Sequence, residues 1–307
     1  MLVLLLLKTG RALLTVLLCV TFVFVVLRLS GDPAETLLPD NTPPATVDEY
    51  RARWGLDRPL PEQYVLYLAA VARGDFGRSF GDNRDALEVV LERVPATLLL
   101  GGATFLLALA IGIPLGILAA IRRNTAVDRA VMGFAVFGFS TPNFFLGILL
   151  ILLFTMQLRW LPSSGSETWQ HMVMPVFTLG TAAAGTLARF TRTAMLEVMG
   201  QPFLRTARGK GATEAIAIRR HALPNAAIPV VTVVGFQLGG LIGGALVTET
   251  VFAWPGVGRL LVSAVSGRDL AVVQAIVLLV AATMVTANYL VDLAYGLLDP
   301  RIRDARR

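Results

Sequence analysis

The sequence Gln201-Pro-Phe-Leu-Arg-Thr-Ala-Arg-Gly-Lys-Gly-Ala-Thr-Glu-Ala-Ile-Ala-Ile-Arg-Arg-His-Ala-Leu-Pro-Asn225 separates two long apolar segments of the chain. It holds five lysines and arginines but only one acidic residue, Glu214. In a membrane protein such a stretch is typical of the cytoplasmic side, where positive residues accumulate. By composition alone, an ordinary basic loop is as good an interpretation as a functional element.

Local sequence signals predict two short helices within this basic stretch. Pro202 suits a first helical turn. Gly209 and Gly211 predict a break, and Thr213 can cap a second helix. We expect that helix to end before Leu223-Pro224, because proline interrupts helical hydrogen bonding.

The composition of the whole chain indicates a membrane protein. Of its 307 residues, 55% are hydrophobic and only 16% are charged, whereas soluble domains carry about 25% charged residues. The net charge of +6 is gathered in short segments between apolar runs, which favours cytoplasmic loops and anionic lipid headgroups over nucleic acid. Cys19 is the only cysteine, so no intrachain disulfide can form, and the two histidines lack the spacing of a metal site.

Apolar runs of about 20 residues predict six transmembrane helices. We place them near residues 12–29, 96–121, 130–158, 172–188, 226–248 and 270–290, after an interfacial elbow at 1–7. The first run could instead be a cleaved signal peptide, but it is long for one. No convincing cleavage site follows it, so a retained anchor is favoured.

The chain is accordingly predicted to be an all-α integral membrane protein in three parts. Residues 1–29 form the elbow and first span, and 30–95 form an extracytoplasmic segment with short amphipathic helices near 47–54 and 62–72. Residues 96–307 form the membrane core, with the basic loop at 201–225. A cytoplasmic N-terminus puts most basic residues inside and leaves only Arg159, Arg259 and Arg268 in the short outer segments. Both termini are therefore predicted to be cytoplasmic.

The later predicted spans lack ionisable side chains. No Asp, Glu, Lys, Arg or interior His occurs in 96–121, 130–158, 172–188, 226–248 or 270–291. Transporters and channels that are driven by protons or by the membrane voltage usually keep ionisable side chains within the membrane. We therefore expect the energy for any transport to come from a partner that binds the cytoplasmic loops.

Polar and small residues within the spans are candidates for lining a path. Ser140, Thr141 and Asn143 flank Pro142 at an expected bend, and the fifth span contains Gln237, Gly239, Gly240 and Gly243. Glycines four residues apart allow close helix packing in lipid. Packing within the chain and a pore-lining role both remain open for these residues.

The spacing within the basic loop resembles a known motif. It reads Arg205-Thr206-Ala207, three residues, Gly211, nine residues, then His221-x-Leu223-Pro224. This resembles the EAA loop of ABC importer permeases, Glu-Ala-Ala-x3-Gly-x9-Ile-x-Leu-Pro, although Arg205, Thr206 and His221 depart from it. Other elements similar to the peptide and nickel branch of that family are Gly31-Asp-Pro, Leu56-Asp-Arg-Pro-Leu-Pro-Glu-Gln-Tyr, Gly74-Asp-Phe-Gly-Arg-Ser-Phe, Glu249-Thr-Val-Phe-Ala-Trp-Pro-Gly-Val-Gly-Arg-Leu and Leu298-Asp-Pro-Arg.

The resemblance implies a type I ABC importer permease, specifically the first (B-type) subunit of a dipeptide, oligopeptide or nickel importer in the inner membrane. It implies a heterodimer with a second permease, two cytoplasmic ATPases that bind ATP and Mg²⁺, and an extracytoplasmic solute-binding protein. This chain would bind no cofactor or metal itself. The residues expected to couple it to the ATPases are Arg205, Thr206, Ala207, Gly211, Glu214, His221, Leu223 and Pro224.

Other function classes find less support in the sequence. The chain lacks the phosphate-binding Gly-x-x-x-x-Gly-Lys-Ser/Thr motif, a placed Ser/His/Asp set and His-Glu-x-x-His, so it is not predicted to be an enzyme. A stand-alone carrier or channel remains the alternative, and a membrane scaffold without transport is a third interpretation. The sequence does not name the solute.

Overall fold

The computed structural model describes the backbone of residues 2–29, 42–53, 57–79, 81–240 and 245–298, with side chains for all but 2–8, 27, 28, 50, 53 and 290–298. These residues form thirteen helices. They are α1 (Leu2–Leu29), α2 (Pro44–Arg53), α3 (Leu60–Ala72), α4 (Ala86–Leu91), α5 (Val94–Ile121), α6 (Ala126–Ser140), α7 (Asn143–Leu150, continued by a π-helical turn over Ile151–Gln157), α8 (Gln170–Met199), α9 (Pro202–Gly209), α10 (Glu214–Gly239), α11 (Leu246–Val251), α12 (Val257–Ser266) and α13 (Leu270–Leu298).

Five helical segments in the described residues are long and apolar enough to cross a membrane. They are Thr9–Val26, Ala86–Ile121, Gln170–Met199, Glu214–Gly239 and Leu270–Tyr289. The pair α6 and α7 gives a sixth if the two helices are counted as one span, although they are bent by 101°. The predicted third span, 130–158, therefore corresponds to two helices that meet at the bend expected around Pro142. Thr141 leaves the helical region with ψ 119, because the residue before a proline avoids the α conformation.

Helix α1 runs from Leu2 to Leu29 without a break, so the predicted elbow and the first span belong to one helix. One predicted boundary is wrong. The second helix of the basic stretch does not end before Pro224 but continues to Gly239. A π-helical turn over Ala217–Ala222 precedes Pro224. Such a turn shifts the hydrogen-bonding pattern, and it lets the chain pass a residue without an N–H group.

The described residues divide into two compact units, and the first contains residues 1–95 and 256–286. The predicted short helices near 47–54 and 62–72 are confirmed as α2 and α3. Helix α3 packs on α1 through Tyr64, whose hydroxyl lies 2.6 Å from Thr21 Oγ1, and the Phe24 ring contacts Tyr64 and Tyr67. Burial raises the pKa of the Tyr67 hydroxyl above its usual range.

Part of the segment predicted to be extracytoplasmic packs against the start of α13. Ser79 Oγ donates a 2.6 Å hydrogen bond to Asp269 Oδ2, which joins the segment before α4 to the start of α13. Beside this contact Val90, Val257 and Ile276 belong to one buried apolar cluster. Of the aromatic residues in this segment, Tyr64 and Tyr67 contact Phe24 as described above, and Trp54 lies outside the described residues.

The second unit contains residues 96–255 and 287–307, and glycines bring its helix backbones together. A Cβ added to Gly116 of α5 would lie 2.5 Å from the Ala188 carbonyl oxygen of α8. A Cβ on Gly138 of α6 would lie 2.7 Å from the Thr181 carbonyl oxygen, which also belongs to α8. Small residues permit this approach in lipid, where van der Waals packing drives helix association. Helix α8 therefore packs closely against both α5 and α6.

Replacing Gly116 with alanine tests this packing. We expect Gly116→Ala to lower the apparent melting temperature of the purified chain in detergent, because the added methyl forces two backbones apart at a cost of about 1–3 kcal/mol. The control is Gly102→Ala on the same helix, where no atom lies within 4 Å of the added Cβ. That control should be neutral or slightly stabilising, since alanine is the better helix former. Equal melting curves for the two variants would contradict the close approach.

Candidate functional site

The basic stretch forms a folded element at the end of α8. Pro202 occupies the first turn of α9, as the sequence predicted. Leu204 is 1% exposed and joins the buried cluster that contains Met195, Ala217 and Ala222. This apolar contact fixes α9 against the ends of α8 and α10 and leaves its polar face exposed.

The turn between α9 and α10 has the predicted glycine break and cap. Gly211 has φ +90, a conformation that favours glycine because it lacks a Cβ atom. Thr213 Oγ1 accepts a hydrogen bond from the Ile216 amide at 3.4 Å. Arg208 donates two 2.8 Å hydrogen bonds to the Glu214 carboxylate, which ties the end of α9 to the start of α10.

A cleft of about 470 Å³ lies on this element. Its lining residues are Phe203, Thr206, Ala207, Lys210, Gly211, Ala212 and His221. The cleft thus brings together Thr206, Ala207, Gly211 and His221 from the predicted coupling set, while Leu223 and Pro224 lie further along α10. The side chains of Arg205, Lys210, Arg219 and Arg220 are exposed around it. The element therefore combines a cleft of mixed polar and apolar lining with a positively charged surface.

The predicted pathway residues do not form one group. Gln237 and Gly240 line a separate cavity of about 240 Å³, whereas Gly239 faces Ala287, 3.4 Å from where its Cβ would be. Ser140, Thr141 and Asn143 lie at the bend between α6 and α7 and do not line that cavity. Gly243 lies outside the described residues.

Glu249 is a buried acid that the sequence reasoning did not use. It is 0% exposed, and Thr97 Oγ1 donates a 2.7 Å hydrogen bond to its Oε1. Nearby, Trp254 Nε1 donates a hydrogen bond to the Ala96 carbonyl oxygen. The position of Glu249 in the sequence could have indicated a structural role, because it directly follows the predicted fifth span and begins one of the motifs quoted above.

An ion pair joining α6 to α8 was also missed. Arg192 Nε and Nη2 donate to the two Asp128 carboxylate oxygens at 2.6 and 2.8 Å. The Asn124 amide donates to Asp128 Oδ2 at 2.9 Å, and the Asp128 side chain is only 5% exposed. The residues are 64 positions apart, so no local pattern indicated that they meet.

Comparison with known families matches nearly the whole chain. Residues 112–304 match the family described as binding-protein-dependent transport system inner membrane component. Residues 1–101 match the N-terminal part of such membrane components. The glutathione transport system permease protein GsiC of Escherichia coli K12 is 42% identical over 92% of both chains. The protein of that name from Salmonella choleraesuis is also 42% identical, over 94% of this chain and 95% of its own length.

Solved structures show a similar fold. A chain of the methionine ABC transporter MetNI, in an inward-facing conformation, matches 69% of this chain and 96% of its own length with a TM-score of 0.58 and 21% identity. An amino acid ABC transporter chain matches 68% of this chain and 94% of its own with a TM-score of 0.54. The predicted all-α type I importer permease fold is thereby confirmed.

Removing one charge of the Asp128–Arg192 pair should destabilise the fold. Breaking a buried pair costs about 3–5 kcal/mol when one charge is left alone, and the 23% exposure of the Arg192 side chain should reduce that cost. We expect Asp128→Asn to lower the melting temperature of the purified chain. Asp48→Asn is the control, since Asp48 pairs with Arg51 at an exposed surface, where such pairs contribute little. An unchanged melting temperature for Asp128→Asn would show that the pair contributes no stability.

Proposed function

The chain belongs to the family of binding-protein-dependent transport system inner membrane components, and from this membership we propose that it forms half of the solute pathway of an ABC importer. It is a permease subunit of such an importer, an integral inner-membrane protein that works with ATPases and a solute-binding protein. The observation that carries the proposal is the match of the family description to residues 112–304, which include the basic element.

We propose that the basic element, residues 201–225, couples this chain to the cytoplasmic ATPases. The cleft at the element's surface, lined by Phe203 and alanines beside Thr206, Lys210 and His221, suits a protruding side chain of a partner. The exposed cations Arg205, Lys210, Arg219 and Arg220 suit an acidic surface around it. ATP and Mg²⁺ would be bound by the ATPase subunits, and this chain would need no cofactor of its own.

The proposed assembly contains a second, different permease. Two permease chains are needed if each supplies half of the pathway. Apolar side chains along the spans are exposed, for example those of Phe139 and Phe236, and they suit burial against lipid or a second chain. We further propose that the solute is peptide-like, because relatives at 42% identity are glutathione permeases by name. Recognition would begin in the extracytoplasmic solute-binding protein.

The proposed orientation puts both termini and the basic element in the cytoplasm, with residues 30–95 outside. The distribution of basic residues supports this arrangement. The hydrogen bond between Ser79 and Asp269 supports an ordered outer structure, since it joins two segments that would both be outside.

Substitution of Gly211 tests the coupling role. At φ +90 a β-branched residue is strained by about 1 kcal/mol or more, so Gly211→Val should deform the turn that presents the cleft. We expect normal membrane insertion and retained ATPase activity, but at least tenfold slower uptake of radiolabelled glutathione and tripeptides by cells expressing the complete importer.

Gly209→Val is the matched control for that substitution. An added Cβ meets no atom within 4 Å at either glycine, but only Gly211 has a positive φ. Gly209→Val should therefore transport nearly normally. If Gly211→Val transports as well as Gly209→Val, the turn has no coupling role.

Cysteine labelling tests the orientation. In a Cys19→Ser background, single cysteines replace Asp82, before α4, and Gln201, before α9; both positions are exposed. In sealed right-side-out vesicles we expect a membrane-impermeant maleimide to label Asp82→Cys and to spare Gln201→Cys until the membrane is permeabilised. The reverse pattern would invert the proposed topology.

A further inference from the structure

Arg189 carries a positive charge within the membrane-spanning segment Gln170–Met199. Its guanidinium carbon lies 5.5 Å from the centre of the Phe139 ring on α6 and 5.7 Å from the centre of the Phe190 ring. The guanidinium makes no hydrogen bond or ion pair within the described part of the chain. An ionisable side chain in a span is costly, and it usually has a function and a partner of opposite charge.

The acidic residues on the two helices do not neutralise Arg189. They are Asp128 on α6 and Glu197 on α8. Asp128 already accepts two hydrogen bonds from Arg192 and one from the Asn124 amide. Glu197 lies about 12 Å beyond Arg189 along α8, at 1.5 Å per residue. The charge of Arg189 is thus offset only by two aromatic rings, which attract a cation less strongly than a carboxylate does.

The Arg189 side chain points away from the nearer end of α8. Helices α6 and α8 run antiparallel, since Gly138 near the end of α6 meets Thr181, while the start of α6 is joined to the last turns of α8 by the ion pair described above. Phe139 follows Gly138, so the guanidinium beside its ring is directed toward the middle of α8. An arginine that faces lipid normally turns toward the nearest headgroups. Lipid is therefore a poor neighbour for this charge.

Exposed apolar side chains surround the charge. Phe139 and Phe190 are 67% and 45% exposed, and Val136, one helical turn before Phe139, is 62% exposed. Protein interfaces bury aromatic and arginine side chains together at their centres. A buried charge needs a countercharge, so a carboxylate from another protein chain would complete this cluster.

We propose that the surface formed by Val136, Phe139, Arg189 and Phe190, here called the Arg189 face, packs against the second permease, which places an aspartate or glutamate carboxylate against Arg189. The inference rests on the proposed function, since that function includes a second permease. The guanidinium donates hydrogen bonds to the carboxylate. The aromatic rings exclude water from the ion pair and so strengthen it.

Photocross-linking in the purified importer complex tests which molecule covers the Arg189 face. The photoreactive residue p-benzoylphenylalanine replaces Phe139 or Phe190, one at a time, so that Arg189 itself is retained. We expect ultraviolet light to join at least one of the probes to the second permease, at a segment that contains an acidic residue. If neither probe does so, and the products contain only phospholipid, solute, this chain or an acid-free segment, the proposal is overturned.

Removal of the charge tests the ion pair. Arg189→Met leaves the partner carboxylate buried and unpaired, so we expect at least fivefold less of the second permease to copurify with this chain. Arg189→Lys keeps the charge and should retain more than half of the recovery. The control is Arg123→Met, at an exposed position in the turn between α5 and α6, which should leave recovery unchanged. Equal recovery for Arg189→Met and Arg123→Met would overturn the proposal.

The melting temperature of this chain purified alone separates an interface from an internal role. Arg189→Met and Arg123→Met should melt at the same temperature, because Arg189 pairs with no acid in the described part of the chain. A lower melting temperature for Arg189→Met would assign Arg189 a role within its own chain and overturn the proposal.

Neutralising the partner acid provides a rescue. Asp→Asn or Glu→Gln at the cross-linked acidic residue of the second permease, combined with Arg189→Met, should restore at least half of the recovery, because no lone charge remains. Recovery no better than with Arg189→Met alone would show that the two groups do not pair. Failure of any second permease to copurify with the unmodified chain would instead count against the proposed assembly.

Discussion

The close approach of helix backbones around α8 is the constraint on which the second unit depends. In lipid, apolar surface gains nothing from leaving the solvent, so helices associate only where their backbones and side chains pack tightly. Gly116 and Gly138 permit that contact from two different helices. Because α8 is held in this way, its C-terminal end is fixed, and Arg192, α9 and the cleft lie at that end. The position of the proposed coupling element thus follows from glycine packing within the membrane.

The continuity of α10 links that element to the membrane interior. The helix runs unbroken from Glu214 to Gly239, so His221 in the cleft and Gln237 in the cavity lie on the same helix. At 1.5 Å per residue these two positions are about 24 Å apart. A partner that moves this helix at the cleft would therefore also move one wall of the cavity. The helix remains continuous past both Pro224 and Pro229.

Turns, caps and helices that depend on local spacing could be predicted from the sequence, whereas contacts between residues distant in the sequence could not. The glycine break at Gly211, the Thr213 cap and the short helices near 47–54 and 62–72 follow from local rules and are confirmed. The path of the chain past Pro224 was predicted wrongly, because propensity rules do not foresee a π-helical turn. The partners of Asp128 and Glu249 lie 64 and 152 residues away, so no window of sequence could reveal them.

The two buried acids, Asp128 and Glu249, bear on the question of what drives transport. The sequence indicated an external energy source because the predicted spans lack ionisable groups, yet Asp128 and Glu249 are both buried in the structure. A group that carries protons must exchange them with water and alternate between partners. Asp128 instead receives two hydrogen bonds from Arg192 and one from a backbone amide, and Glu249 is held by Thr97 in a fully buried site. Such fixed acids hold helices in place. The two acids therefore give no support to a proton-driven mechanism, which agrees with the proposal that a partner acts through the exposed charges of the basic element.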